Sequence, residues 1–399
     1  MKILHTSDWH FGHLLYGYDR LGEHRSFVEQ LINLTASEQP DAILVSGDIF
    51  DTGMPSVPAQ QLYTEALIGL HNASPHTMTV ITAGNHDSPS RLEVYRRVWA
   101  AHNVNVIGTL GRTHNGEIDW QRHILPVADK GYVVALPHIY QQNYPVAESA
   151  DRLSAFYRNL QAKVEILNVN NLPIILMAHT AVHGCNLAGH RRMQEDSIGS
   201  IEYIDLETFG TVYDYIALGH IHHPQTLQGE TTARYSGSPV AVSFDENYEH
   251  SVTIATIERG KKPKITTHVI DTQHPLLTIP SSPQPFEQAL EALSNIDNNC
   301  EAYIRLNVLS NNGLPADYNE RITLSITGKK CRYCTTNITR LETEHNELKQ
   351  STLTPDEFKQ LNVGDVAKQY LDSKGIDLEL QQRFIKMIAE TGKKLSNED

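Results

Sequence analysis

Five short apolar runs, Lys2 to Leu4, Ala42 to Val45, Thr79 to Thr82, Ile174 to Met177 and Tyr215 to Leu218, each stop abruptly at a cluster of Asp, Asn or His. Runs of that length and composition read as buried strands. Between them lie helical stripes: Phe27, Leu31, Ile32 and Leu34 within residues 24–37, and Leu153, Phe156, Leu160, Val164 and Leu167 within residues 151–167. Strands alternating with helices predict an α/β layered domain. In such sheets ligands bind just outside the carboxyl ends of the strands, so five separate events in sequence become one place in space.

The strand ends present, in order, Asp8-Trp9-His10, Gly47-Asp48-Ile49-Phe50-Asp51, Gly84-Asn85-His86-Asp87, Ala178-His179 and Gly219-His220-Ile221-His222. A single His beside a strand is usually structural, and the chain has 21 of them. The ordered set D-x-H, G-D-x-x-D, G-N-H-D and G-H-x-H, each following a predicted strand, is far more specific. Hydrolysis of a phosphodiester needs an oxygen nucleophile at neutral pH and charge stabilisation on the attacking and leaving oxygens. Two divalent ions roughly 3.5–4 Å apart supply both, and such a pair needs a mixed set of carboxylate and imidazole donors with one carboxylate shared. Glycines before Asp48, Asn85 and His220 allow turns that aim side chains inward without Cβ crowding.

Further along, Thr232 to Tyr235, Ser251 to Ile257 and Ile265 to Ile270 read as antiparallel strands that complete the sheet. A composition break follows at residues 271–285, with Pro275, Pro280, Pro283 and Pro285. Beyond it come a helix with Phe286, Leu290 and Leu293, a strand from Ala302 to Val308, a helix around Tyr318 to Ile326 and a strand near Arg332 to Ile338, predicting a small α+β domain. Residues 354–394 carry two short helices, one with Val366, Tyr370 and Leu371, the other with Leu380, Phe384, Met387 and Ile388. So short a segment seldom makes its own core, so its apolar faces are expected to dock on something else. The expected division is residues 1–270, 271–340 and 341–399.

The formal charge of -14, from 33 Lys+Arg against 47 Asp+Glu in 399 residues, argues against an autonomous basic nucleic-acid binder. Bound divalent ions or a partner's basic groove would offset it. Cys185, Cys300, Cys331 and Cys334 are too scattered for a disulfide framework. The single C-x-x-C at Cys331 and Cys334 has no second Cys or His pair nearby to complete a zinc site, and reads as reduced cysteines packed in a strand. No apolar run approaches the roughly 20 residues that span a bilayer, and no signal-peptide pattern opens the sequence. A soluble, cytoplasmic protein is expected.

With these residues in view, the chain resembles the calcineurin-like metallophosphoesterase superfamily. The resemblance implies its four-layer β-sandwich flanked by helices, here with a small α+β capping domain and a helical tail. It implies that Asp8, His10, Asp48 and His222 hold one metal, and that Asp48 as bridge, Asn85, His179 and His220 hold the second. His86 would then sit beside the phosphate, stabilising the transition state or protonating the leaving oxygen, with Asp87 orienting its ring. The N/O donor set suits Mn²⁺, Fe²⁺ or Zn²⁺ better than Mg²⁺, and family habit adds Mn²⁺ as the working ion.

Within that superfamily, His5 to Gly12, Gly47 to Gly53, and Arg234-Tyr235-Ser236-Gly237-Ser238-Pro239 followed by Ser243-Phe244-Asp245-Glu246 look like the SbcD family, the nuclease subunits of bacterial SbcCD complexes. That likeness implies a DNA nuclease of repair and recombination with 3′-to-5′ exonuclease, single-strand endonuclease and hairpin-opening action. It also implies a tail bound to an SbcC-like ATPase, and a homodimer within a two-plus-two assembly. The chain itself has no G-x-x-x-x-G-K-[ST], so any use of ATP belongs to a partner. Arg191 and Arg192, which follow His179 in one loop, are candidate phosphate contacts; the loop from Val182 to Ser197 departs from the family pattern. Two other readings stand against this one: a hydrolase of small phosphoesters, and a non-catalytic scaffold on the same fold. The cap and tail disfavour the first, and the complete donor set opposes the second.

Overall fold

The computed structural model describes residues 1–145, 151–189 and 203–340, together with Phe384. The chain divides into two compact units, Met1–Arg340 and Leu341–Asp399. The first is built on two six-stranded sheets packed face to face. One sheet runs, edge to edge, Lys264–Val269, Ser251–Thr256, Lys2–Thr6, Ala42–Ser46, Met78–Thr82, Val104–Ile107. The other runs Gln225–Leu227, Ala233–Tyr235, Tyr215–Gly219, Ile174–His179, Gly131–Ala135, Ile124–Val127. Their central strands are parallel, with Leu4 opposite Ile43 in the first sheet and Ile216 opposite Leu176 in the second.

The sequence dictates this sandwich through its period of two. Along Ala42–Ser46, Ala42 and Leu44 face the second sheet, whereas Ile43 and Val45 face outward into a core shared with Phe27, Leu31, Leu62 and Leu67. Along Ile174–His179, Ile175 and Met177 face the first sheet, and Ile174, Leu176 and Ala178 face Phe156, Leu160 and Val164. Because successive side chains of a strand point to opposite faces, strands buried on both sides must be apolar throughout. Each fully buried Leu or Ile contributes about 1.5–3 kcal/mol. Helices Leu21–Glu38 and Val57–Ala73 cover one outer face and Arg152–Leu167 covers the other, giving four layers.

Two of the three expected later strands, Ser251–Thr256 and Lys264–Val269, are antiparallel as expected. Ala233–Tyr235 is not: it runs parallel to Tyr215–Gly219 and antiparallel only to Gln225–Leu227. The short Gln225–Leu227 strand lies outermost and reverses the chain, so the strand returning inward regains the original direction.

The segment after residue 275 forms a three-stranded parallel sheet in the order Leu276–Gln284, Tyr303–Leu309, Arg332–Thr339, with helices Phe286–Ser294 and Tyr318–Ser325 in the connections. It has a core of its own around Phe286, Leu293, Ile304, Leu306 and Ile322. Pro280 and Pro283 lie inside its first strand, which is an edge strand with irregular register between Ile279 and Gln284. An edge is where a residue without a backbone N–H is tolerated. All four cysteines are free, and Cys334 lies within the Arg332–Thr339 strand. Among the described residues no helix is long and apolar enough to cross a membrane. Arg191 and Arg192, most of the loop from Val182 to Ser197, and the tail stripes other than Phe384 lie outside the described residues.

Candidate metal centre

Every predicted ligand sits at the carboxyl end of a parallel strand, and the two sheets contribute from opposite sides. Asp8 and His10 follow Lys2–Thr6, Asp48 follows Ala42–Ser46 and Asn85 follows Met78–Thr82, all in the first sheet. His179 ends Ile174–His179, and His220 and His222 follow Tyr215–Gly219 in the second. Four of these residues have positive φ: Asp8 at 54°, His10 at 46°, Asp48 at 51° and His220 at 96°. Non-glycine residues rarely adopt that region, and its concentration here marks strain held by the surroundings. Two glycines are required by close approach: a Cβ on Gly47 would collide with the His179 ring, and one on Gly84 with the Asp48 carboxylate.

Among the described residues three clusters have metal-site spacing: two consist wholly of predicted ligands, Asp8 with His10 and His222, and Asp48 with His179 and His220, and the third joins His10 to Asp51 and His86. Nε2 of His10 and Nε2 of His222 are 3.1 Å apart. Oδ1 of Asn85 is 3.0 Å from Nε2 of His179 and 2.9 Å from Nδ1 of His220. Donors about 2.1 Å from one ion and at right angles to each other stand about 3 Å apart, so these spacings fit a shared ion in each group. Asp48 joins the groups. Its Oδ2 is buried without a hydrogen-bond partner among the described residues, and lies 3.3 Å from Nε2 of His179 and 3.8 Å from Nε2 of His10. A buried carboxylate oxygen left unpaired is costly unless a cation meets it, so the residues fit a pair of divalent ions bridged by Asp48.

In His222 and His179 the second ring nitrogen fixes the orientation. His222 places Nδ1 3.0 Å from Oε1 of Glu246, and His179 places Nδ1 2.8 Å from the Ser46 carbonyl. Both contacts leave Nε2 for a metal, the usual outer support of a ligating imidazole. His86 places Nδ1 2.9 Å from the Asp51 carbonyl, and its ring meets His10 edge-on at 4.9 Å. The expected role of Asp87 is thereby corrected. Its carboxylate accepts N–H bonds from Ile49, Phe50 and Gly84, tying together the loops that carry Asp48 and Asn85, while Asp51 holds the His86 ring through its main chain.

Two further residues belong to the site without a role assigned from sequence. Asp51, the second acid of G-D-x-x-D, lies 3.0 Å from Nδ1 of His13 and 3.5 Å from Nδ1 of His10. Its own place in that motif was the available signal. Glu246, which supports His222, lies beyond any local spacing rule.

Burial alone would lower the His10 and His179 pKa values, but neighbouring carboxylates win. Asp51, Asp48 and Asp8 raise His10 to about 9, and Asp48 and Asp8 raise His179 to about 9. Burial and the charge of Asp48 push Asp87 up to about 6 against its three N–H donors. Burial pushes Asp51 upward, yet hydrogen bonds from His10 and His13 hold it well below the usual carboxylate range. A metal binds only the neutral imidazole. At pH 7 both rings must therefore shed a proton on binding, and affinity should rise with pH until about pH 9. Calorimetry in buffers of different ionisation enthalpy should detect about two protons released at pH 7 and far fewer at pH 9.5. Equal release at both pH values would contradict this electrostatic picture.

Comparison with known proteins gives the family. The Calcineurin-like phosphoesterase family matches residues 1–224. The chain is 37% identical over 314 residues to the SbcD nuclease subunit of the SbcCD complex of Rhodobacter capsulatus, covering 74% of this chain and 76% of the relative. It is 33% identical to the Escherichia coli K12 protein of that name over 64% of this chain and 65% of the other. For the Bacillus subtilis protein of that name the identity is 32%, over 69% of this chain and 71% of the other. The converging carboxylates and imidazoles are those of a metal-dependent hydrolase of phosphodiester bonds, and the chain belongs to the calcineurin-like phosphoesterases, within the SbcD family of SbcCD nuclease subunits.

Proposed function

We propose that this chain is the Mn²⁺-dependent DNA nuclease subunit of a complex with an SbcC-like ATPase, acting in DNA repair and recombination. Its activities are 3′-to-5′ exonuclease action on duplex ends, single-strand endonuclease action and hairpin opening. The observation that carries the reading is the convergence of all seven ligands with His86 at one end of the sandwich.

Asp8, His10, Asp48 and His222 would hold one ion, and Asp48, Asn85, His179 and His220 the other. Such ions supply a nucleophile at neutral pH and charge stabilisation on the phosphate. The protein's own groups do the rest. Glu246 and the Ser46 carbonyl hold His222 and His179 in the ligating orientation. Asp87 fixes the two loops that carry Asp48 and Asn85. His86, with Nδ1–H donated to the Asp51 carbonyl, keeps Nε2 toward the site, where the doubly protonated ring can donate a hydrogen bond or proton to the leaving oxygen and is left neutral.

The tail, residues 341–399, is the docking segment for the ATPase, in a two-plus-two assembly. Phe384 is 50% exposed, which supports its use as an apolar anchor. Arg191 and Arg192 are proposed phosphate contacts.

Labelled hairpin DNA with Mn²⁺, tested with and without the ATPase and ATP, discriminates the readings. Cleavage by the chain alone, extended to duplex ends when ATPase and ATP are added, is expected. Deleting residues 345–399 should spare hydrolysis of a small phosphodiester yet abolish the ATP-stimulated activity. Faster turnover of a phosphomonoester than of any DNA would favour a small-phosphoester hydrolase.

A further inference from the structure

The small domain after residue 275 grips the turn that supports a metal ligand. Nη1 of Arg305, on its central strand, donates to Oδ1 of Asp245 at 2.6 Å, and Nη2 to the Phe244 carbonyl at 3.2 Å. The guanidinium lies 5.3 Å over the Phe244 ring, which is buried with Leu15 and with Tyr303 of that strand. The next residue, Glu246, turns the other way. Its Oε1 is 3.0 Å from Nδ1 of His222, and its Oε2 accepts from the Ser238 hydroxyl at 3.1 Å. A second tie reaches the same turn, where buried Arg20 donates to the Ala241 carbonyl and pairs with Glu23, which accepts from the Tyr303 hydroxyl.

We propose that Arg305 is a positioning residue: by clamping Phe244 and Asp245 it sets Glu246, and through Glu246 the imidazole of His222, so seating of the small domain controls how tightly the first metal is held. This rests on the metal-centre reading above. The physical path is short and continuous, one ion pair, one turn and one hydrogen bond. Freed of Arg305, the turn keeps the bonds among Ser243, Asp245 and Glu246 and those from Arg20, Ser238 and Val242, but it loses the clamp on Phe244 and Asp245 that sets the Glu246 carboxylate against the ring. A ligand whose outer support is lost typically binds its metal about 10- to 100-fold more weakly.

The test is Mn²⁺ binding to the full chain by calorimetry, with melting followed in parallel. Arg305→Ala should weaken one of two sites about 10-fold and raise the Mn²⁺ concentration needed for half-maximal cleavage. Saturating Mn²⁺ should restore the rate. Asp245→Asn, which takes the charge out of the same contact from the nuclease side, should reproduce part of the shift, and Arg305→Ala on a Glu246→Gln background should add little to it. Arg321→Ala removes a pair with Glu287 elsewhere in the small domain and should leave Mn²⁺ affinity unchanged. Unaltered affinity in a folded Arg305→Ala or Asp245→Asn protein would overturn the proposal. So would an equal loss in Arg321→Ala, since that would signal general loosening. A wild-type chain that binds no pair of ions would instead remove the metal centre itself, and this coupling with it.

Discussion

Asp48→Asn is expected to cut Mn²⁺-dependent phosphodiester cleavage by about 10³-fold or more while the protein stays folded, the upper end of what losing one electrostatic group at a reacting centre costs. The change keeps the shape and removes the charge of a carboxylate that lies against imidazoles of both donor groups. Burial opposes ionisation of Asp48, but His179 and His10 hold its pKa well below the usual carboxylate range, so the wild-type group carries full charge at any working pH. The asparagine has no such charge to share between two ions. Metal content by elemental analysis should fall below two per chain, and circular dichroism should be unchanged. Near wild-type cleavage by Asp48→Asn would sink the bridged two-ion assignment.

His86→Gln separates chemistry from assembly. Neither of the two ligand groups contains His86, whose Nδ1 is tied to the Asp51 carbonyl. The variant should therefore hold two ions and bind DNA as before, yet cleave at least ~10²-fold more slowly, the scale of a lost general acid. The defect should shrink on a substrate whose leaving group needs no proton. His86 does lie in a cluster with His10 and Asp51 that has the spacing of a metal site. If the variant lost an ion by anomalous scattering, His86 would move among the ligands.

Much of this site could be read from the chain because strand ends and ligands coincide. The apolar run sets where a parallel strand stops, and the next polar residue is then committed to the carboxyl edge of the sheet. What could not be read was settled by partners distant in sequence. Glu246 meets His222 only because the chain from Ser238 to Glu246 folds back as a turn. Asp87 has the sequence position of a support for its neighbour His86, but three backbone N–H groups of two converging loops outcompete that ring. Helix Val57–Ala73 is hard to see in the sequence, although Ser56 caps it; exposed Val57 and Ile68 blur the stripe made by Leu62, Ala66, Leu67 and Leu70. Pro280 and Pro283 mark a break in composition, while the structure carries a strand through them at an edge.

The ligands come from both layers, with Asp8, Asp48 and Asn85 on one and His179, His220 and His222 on the other. An ion held there would be a rivet through the sandwich as well as a reagent, joining segments as far apart in the chain as Asp8 and His222. It closes that loop only in the folded state, so mass action turns occupancy into resistance to melting: about 2.7 kcal/mol for each ion present at a hundred times its dissociation constant. The strained left-handed backbone at Asp8, His10, Asp48 and His220 is then held down from outside by the cargo it was bent to receive. Chelation should therefore lower the melting temperature of the chain.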